Sequence, residues 1–337
     1  MKFEWIDFYS EFATKLLLFK NDRKALIERI NDVYTAINMQ VPKLESGGDI
    51  IDIDPFTIFG LFNKGITNSN RIAIIRSIAN VFGIEAKVPN NFDGIPVLNN
   101  LKATFYAFKE DRKADDIDNI WNVFEAALRL ADNDTEQNRK EFSKWYDLVH
   151  DQRCIRWNIT MGLYWIRPYT YINLDSRNRW YISNVENMPA EFVNSIKKKI
   201  NKVPNATDYL FIKDACIKAL EVGSYEYKNY PELSYSAWIV SEQVNRQKAA
   251  ANGKKLSNAA FLRWFKPLIQ ALRDLGGSGT PAEARAKIVE NEQLSDEEVN
   301  AIRGKNNVNK FENEVAFARS YLVNAGYIDK SIYGVWT

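Results

Sequence analysis

The stretch ITMGLYWIRPYTYINLDSRNRW, Ile159 to Trp180, decides how the rest of the chain is read. Its first half has the composition of a buried helix. Arg167-Pro168 ends that helix, because proline cannot donate the next backbone hydrogen bond and biases the residue before it toward extended conformations. A short extended segment then reaches Asp175, a single acid set between the aromatic pair Tyr169 and Tyr171 and the arginines Arg177 and Arg179. An aspartate among arginines is either an ion-pair partner or a carboxylate with chemistry to do, and the surrounding sequence bears on which.

Helical spacing dominates outward from this stretch. Phe8, Phe12, Leu16 and Leu17 form one apolar stripe, Ile72, Ile75, Ile78 and Phe82 a second, and Trp121, Phe124, Ala127 and Leu128 a third. Asp134 with Gln137 fits a helix start before NRKEFSKWYDLV. Turns are expected at SGGD (Ser46 to Asp49), VPNNFDG (Val88 to Gly94) and NKVPNATD (Asn201 to Asp208). The expected fold class is mainly α, with domains at residues 1–240 and 259–337 joined by a polar linker at 241–258. The second domain has two capping boxes, Thr280 with Glu283 and Ser295 with Glu298, a helix from about Lys310 to Ala325, and a closing YIDKSIYGVWT suited to a small β-hairpin. Three helices and a terminal hairpin is the winged-helix plan.

Composition narrows the chemistry. His150 is the only histidine and Cys154 and Cys216 the only cysteines of 337 residues. That disfavours histidine-based triads, multi-histidine metal motifs and four-cysteine clusters, so neither a metal nor another cofactor is expected, and His150 reads as structural. No apolar run approaches the ~20 residues of a membrane span, and the N-terminus is acidic and aromatic, so a cytoplasmic protein is expected. The net charge is only +2, but Asp151 to Lys202 holds nine Lys/Arg against four Asp/Glu. A basic middle around Asp175 suits a phosphate-facing surface, with Arg153, Arg156, Arg177 and Arg179 as its DNA-binding candidates.

The segment Phe261 to Thr337 resembles the N-terminal winged-helix domain of Mrr-type restriction proteins, through LRDLGGSGTPAEARAKI, LSDEEV, KFENEVAFARSYLVNAGYI and YGVW. The resemblance implies DNA contact by the helix from Lys310, with Lys305, Asn306, Asn307, Lys310 and Asn313 near its exposed start. The alternative use of such a domain is protein contact. Phe3 to Ile182 resembles the N-terminal region of McrB-like subunits of modification-dependent restriction systems, through DIDPFTIFGLFNKGITNSNRI, FDGIPVLNN, DIDNIWNVFEAAL and WNITMGLYWIRPYTYINLDSRNR. In those subunits the region precedes an AAA+ motor and selects the DNA target. This sequence has no Walker A motif.

A narrower resemblance bears on Asp175. In helix-hairpin-helix DNA glycosylases an apolar helix leads through Arg-Pro to an aspartate in Val-Asp-Thr-x-x-x-Arg, and here the order is apolar helix, Arg167-Pro168, Leu174-Asp175-Ser176, then Arg177 and Arg179. The sequence departs from those enzymes at the hairpin, where HDQRCIRWN replaces Leu-Pro-Gly-x-Gly. The resemblance implies a helix-hairpin-helix glycosylase-like domain with Asp175 as catalytic carboxylate. One carboxylate suffices to stabilise an oxocarbenium-like sugar. From Trp145 to Asp175 there is no lysine to act as a lyase amine, so such an enzyme is expected to be monofunctional.

It would flip a base from double-stranded DNA, most simply a modified cytosine of phage DNA. Phe59, Phe62, Asn63, Asn99, Trp157, Tyr169 and Tyr171 are the candidate pocket residues, as stacking rings and base-reading amides. Two other readings stand beside this one. The first is a non-catalytic modified-DNA reader acting with a separate effector chain. The second is a nuclease built on Asp208, Glu226 and Lys228.

Overall fold

The computed structural model describes residues 3–99, 104–223, 225, 227–251, 260–303, 308–324, 327–329 and 335–337. The chain is mainly helical and divides into two compact units, Met1–Gln243 and Val244–Thr337.

In the first unit, α1 (Trp5–Leu17) buries Trp5, Phe8, Tyr9, Phe12 and Leu16, the i, i+3/i+4 row its sequence announces. It packs on α3 (Pro55–Gly60) and α7 (Asn158–Ile166), while α2 (Arg23–Ala36) pairs with α4 (Asn68–Phe82) and α5 (Asp116–Asp132) with α6 (Glu136–His150). The six residues of α3 are all buried, so its free N–H groups cannot turn to water. Asp54, itself buried, accepts from the Phe56 and Thr57 amides at 2.8 and 3.0 Å. Helix α7 crosses α3 at Gly162, where a Cβ would lie 2.6 Å from the Phe56 ring. Every residue from Ile159 to Ile166 is buried, and the helix stops before Pro168 as expected. The start of α6 is shifted by one residue from expectation. Thr135 caps it by accepting from the Asn138 amide, because Asp134 is engaged by the Arg139 guanidinium. Four further helices complete the unit: α8 (Ser176–Ile182), α9 (Ala190–Ile196), α10 (Ala206–Val222) and α11 (Tyr230–Ala251).

The second unit has its own core of Trp264, Leu268, Leu272, Ile288, Phe311, Val315, Leu322 and Trp336. A 3₁₀ turn (Ala260–Trp264) leads into α12 (Phe265–Asp274), followed by α13 (Pro281–Glu292), α14 (Asp296–Val299), β1 (Ile302–Arg303), β2 (Val308–Asn309) and α15 (Lys310–Asn324). Both capping boxes form as read, and Gly276 and Gly277 supply the left-handed φ values of 83° and 101° that end α12. The β1–β2 pair before α15 was not anticipated. Of the closing hairpin, residues 330–334 lie outside the described ones. Trp336 exchanges both backbone hydrogen bonds with Gly279, at 2.8 and 3.0 Å.

Among the described residues no helix is long and apolar enough to cross a membrane, and no group of three or more His, Cys, Asp or Glu is placed to hold a metal ion.

Candidate functional site

A cleft of about 520 Å³ opens in the first unit around Asp175. Four pieces of chain line it: the turn Phe92–Val97, the start of α7 with Trp157 and Met161, the start of α8 from Asp175 to Arg179, and Ser234 and Trp238 of α11.

The turn is held rigid from behind. Buried indoles need an acceptor for their N–H. Trp5 donates to the Asp93 carbonyl at 3.3 Å and Trp165 to the Pro96 carbonyl at 3.0 Å. Ser234 donates to the Gly94 carbonyl at 3.1 Å, and Tyr164 reaches the same oxygen at 3.5 Å. Gly94 takes φ 75°, a left-handed value that a side chain there would strain.

Asp175 is half-buried and caps α8. Its Oδ1 accepts from the Asn178 backbone N–H at 2.8 Å and from Asn178 Nδ2 at 3.1 Å, and the Asp175 amide donates to Asn173 Oδ1 at 3.0 Å. Thr160 ties this segment to α7, donating to the Trp157 carbonyl at 2.9 Å while accepting from the Leu174 amide at 3.1 Å. Among the described residues, Oδ2 of Asp175 accepts no hydrogen bond and neither neighbouring arginine forms an ion pair with the carboxylate. Arg179 instead lies over the Trp157 ring, 3.7 Å from its centroid, and donates to the Leu174 carbonyl at 2.7 Å. Burial lowers the Arg179 pKa, and the nearby Asp175 charge opposes that shift. Arg177 pairs with Glu242 of α11 at 2.7 Å.

Residues 5–240, more than two thirds of the chain, match a family described as a domain of unknown function, DUF8425. The chain belongs to the DUF8425 family. Residues 261–337 match the Mrr N-terminal domain, so the second unit carries a domain of that type. No curated protein and no solved structure matches the chain.

The DUF8425 region brings together Asp175, Arg177, Arg179 and Trp157 of the expected site. It does not bring the other pocket candidates to them. Phe59, Phe62, Asn63 and Tyr171 are fully buried. Phe59 and Phe62 pack against Tyr9 and Phe12, and Tyr171 stacks on Phe142 with its hydroxyl donating to the Ala127 carbonyl. Asn63 accepts from the Tyr9 hydroxyl at 2.8 Å. Rings at helical spacing serve the core here, and the cleft is walled instead by a loop, two helix starts and one face of α11. Tyr169 is 58% exposed and, like the exposed Asn99, is not part of the cleft wall.

The turn after α6 contributes Arg153 and Arg156 to a second cleft of about 550 Å³, which Lys202 also lines. Cys154 and Arg156 take left-handed φ values of 77° and 45°, conformations glycine favours, in a turn that contains no glycine. Arg153 pairs with Asp111 at 2.7 Å. Of the nuclease trio, Glu226 lies outside the described residues, Asp208 pairs with Lys199, and Lys228 donates to the Gly223 carbonyl at 3.1 Å. In the Mrr-type domain, Lys310 is exposed and Asn313 half-buried in the first turn of α15, while Lys305, Asn306 and Asn307 lie outside the described residues.

Sequence reading does not reach the Phe92–Val97 wall or Trp238 of the cleft, nor Glu242 beside it. The signal for the wall lay elsewhere, in Trp5 and Trp165, whose indole N–H groups require acceptors once buried.

Proposed function

We propose that this protein binds double-stranded DNA, takes a modified cytosine from the duplex into the Asp175 cleft, and hydrolyses its N-glycosidic bond. One observation carries this reading: a carboxylate oxygen that accepts no hydrogen bond among the described residues shares a cleft with Trp157, Trp238 and two arginines. As the C1′–N bond breaks, the electron pair leaves with the base and positive charge develops on the sugar. The fixed Asp175 carboxylate stabilises that charge and accepts a proton from the water that adds to C1′. The products are an abasic site and the free base, which takes up a proton. Trp157, backed by Arg179, offers a ring for the extruded base to stack on. The Mrr-type domain and the basic turn at Arg153 and Arg156 supply the duplex grip, and the resemblance to McrB-like target selectors supports modified phage DNA as the substrate.

A second reading, a modified-DNA reader that leaves cleavage to a separate effector chain, is favoured by the structural task Asp175 already has. Its Oδ1 is used in capping α8. Duplexes bearing cytosine, methylcytosine, hydroxymethylcytosine or glucosylated hydroxymethylcytosine separate the two. Excision gives strand breaks only after alkali, lost in Asp175→Asn while binding persists. Binding without abasic sites on any of the four identifies a reader, and breaks before alkali identify a nuclease.

A further inference from the structure

Among the described residues, four charged side chains line the Asp175 cleft: Asp93, Asp175, Arg177 and Arg179. They differ in how free they are to meet an anion. The Arg179 guanidinium is committed to the Trp157 ring and the Leu174 carbonyl, and it is partly buried. The Arg177 side chain is 42% exposed and has a single ionic partner among the described residues, Glu242, whose side chain is 37% exposed. Only Nη2 of Arg177 is used in that pair, and among the described residues the rest of the guanidinium fork has no hydrogen-bond acceptor. Ser234, Trp238 and Glu242 stand four residues apart on α11, so they form one row along the helix. The first two line the cleft and Glu242 continues their row beside it.

A carboxylate and a phosphate offer the same paired oxygens to a guanidinium. Resting on the DNA-binding reading of this cleft, we infer that Glu242 is a gate, its carboxylate occupying on Arg177 the place of a DNA phosphate, so that the strand entering the cleft exchanges with it. Half-exposed ion pairs are weak enough for such exchange. The gate excludes anions that cannot displace a tethered carboxylate. It also makes phosphate contact at Arg177 conditional on the strand being held elsewhere.

Anisotropy titrations of a fluorescein-labelled 20-base-pair duplex carrying one hydroxymethylcytosine, at several salt concentrations, test this with wild type, Glu242→Gln, Glu242→Ala, Arg177→Gln and the double variant Arg177→Gln/Glu242→Gln in the full chain. The gate requires roughly threefold to tenfold tighter binding in both Glu242 variants, with a steeper salt dependence, and no such gain in the Arg177→Gln background. Unchanged or weaker binding in both Glu242 variants, or an equal gain without Arg177, overturns it. Trp157→Ala distinguishes the two levels: if it binds like wild type, the cleft reading itself fails. If it weakens binding while the Glu242 variants gain nothing, only the gate fails.

Discussion

Asp175 has a structural task on one carboxylate oxygen, and the chemistry proposed for it falls to the other. Oδ1 closes the start of α8 through Asn178, and Oδ2 faces no protein donor among the described residues. Asparagine caps a helix as well as aspartate does, so Asp175→Asn is expected to melt like wild type, whereas Asp175→Ala loses about 1 kcal/mol in urea unfolding. Excision, where it occurs, is expected to be lost in both, and retention by Asp175→Asn removes the carboxylate from the chemistry. Asp54 is the contrasting acid. Its burial pushes its pKa up to about 6 against an ordinary 3.8, with the hydrogen bonds from Thr57 and Phe56 acting the other way. A carboxyl whose folded pKa is raised stabilises the fold below its unfolded pKa, and that stability is lost as pH rises through 6. Asp54→Asn removes this term, so the stability difference between variant and wild type is expected to move in the variant's favour by about 3 kcal/mol from pH 3 to pH 7. Urea midpoints across that range measure it, and a difference independent of pH contradicts the assignment.

At the scale of elements, α7 is the piece on which the cleft depends. Its contact with α3 has no room for a methyl group at Gly162, where the Phe56 ring is itself fully buried. Gly162→Ala is expected to cost about 1–3 kcal/mol through overpacking, despite the better helix propensity of alanine. It is also expected to weaken DNA binding, because Thr160 carries any shift of α7 to Leu174 and so to Asp175. Normal stability with alanine at this position rules out the tight crossing. The extent of α7 could be read from its sequence, since an apolar run ended by Arg167-Pro168 admits few other readings. The start of α8 at Asp175 is less legible: the sequence marks the acid as an ion-pair partner or a catalyst, and the fold makes it a cap. The two capping boxes of the Mrr-type domain were legible to the residue, because both partners lie within four positions of each other. The cleft was not. Its walls come from residues 92–97, 157–161, 175–179 and 234–238, and periodicity says which faces are apolar without saying which loops converge. The same limit explains Phe59, Phe62 and Tyr171, read as stacking rings of a base pocket but placed by the fold in the core.

At the scale of the whole molecule, the two units have cores that share no residue. Leu268, fully buried in the second core, is therefore expected on replacement by alanine to lower the stability of that unit by about 2–5 kcal/mol and leave the unfolding of the first unit in place. Hydrogen exchange resolved along the chain reads the two separately, and uniform loss of protection shows one cooperative unit instead. Removing residues 261–337 is expected to weaken DNA affinity and flatten its salt dependence if the Mrr-type domain meets phosphates, whereas an unchanged slope assigns it to protein contact. The distribution of the nine tryptophans over the molecule has an optical consequence. Trp5, Trp121, Trp165, Trp264 and Trp336 are sealed in the two cores, while Trp157 and Trp238 stand in the cleft wall. A base stacked there quenches emission from those two and leaves the sealed indoles bright, so the chain carries its own reporter of cleft occupancy, one that Trp157→Phe and Trp238→Phe together would silence.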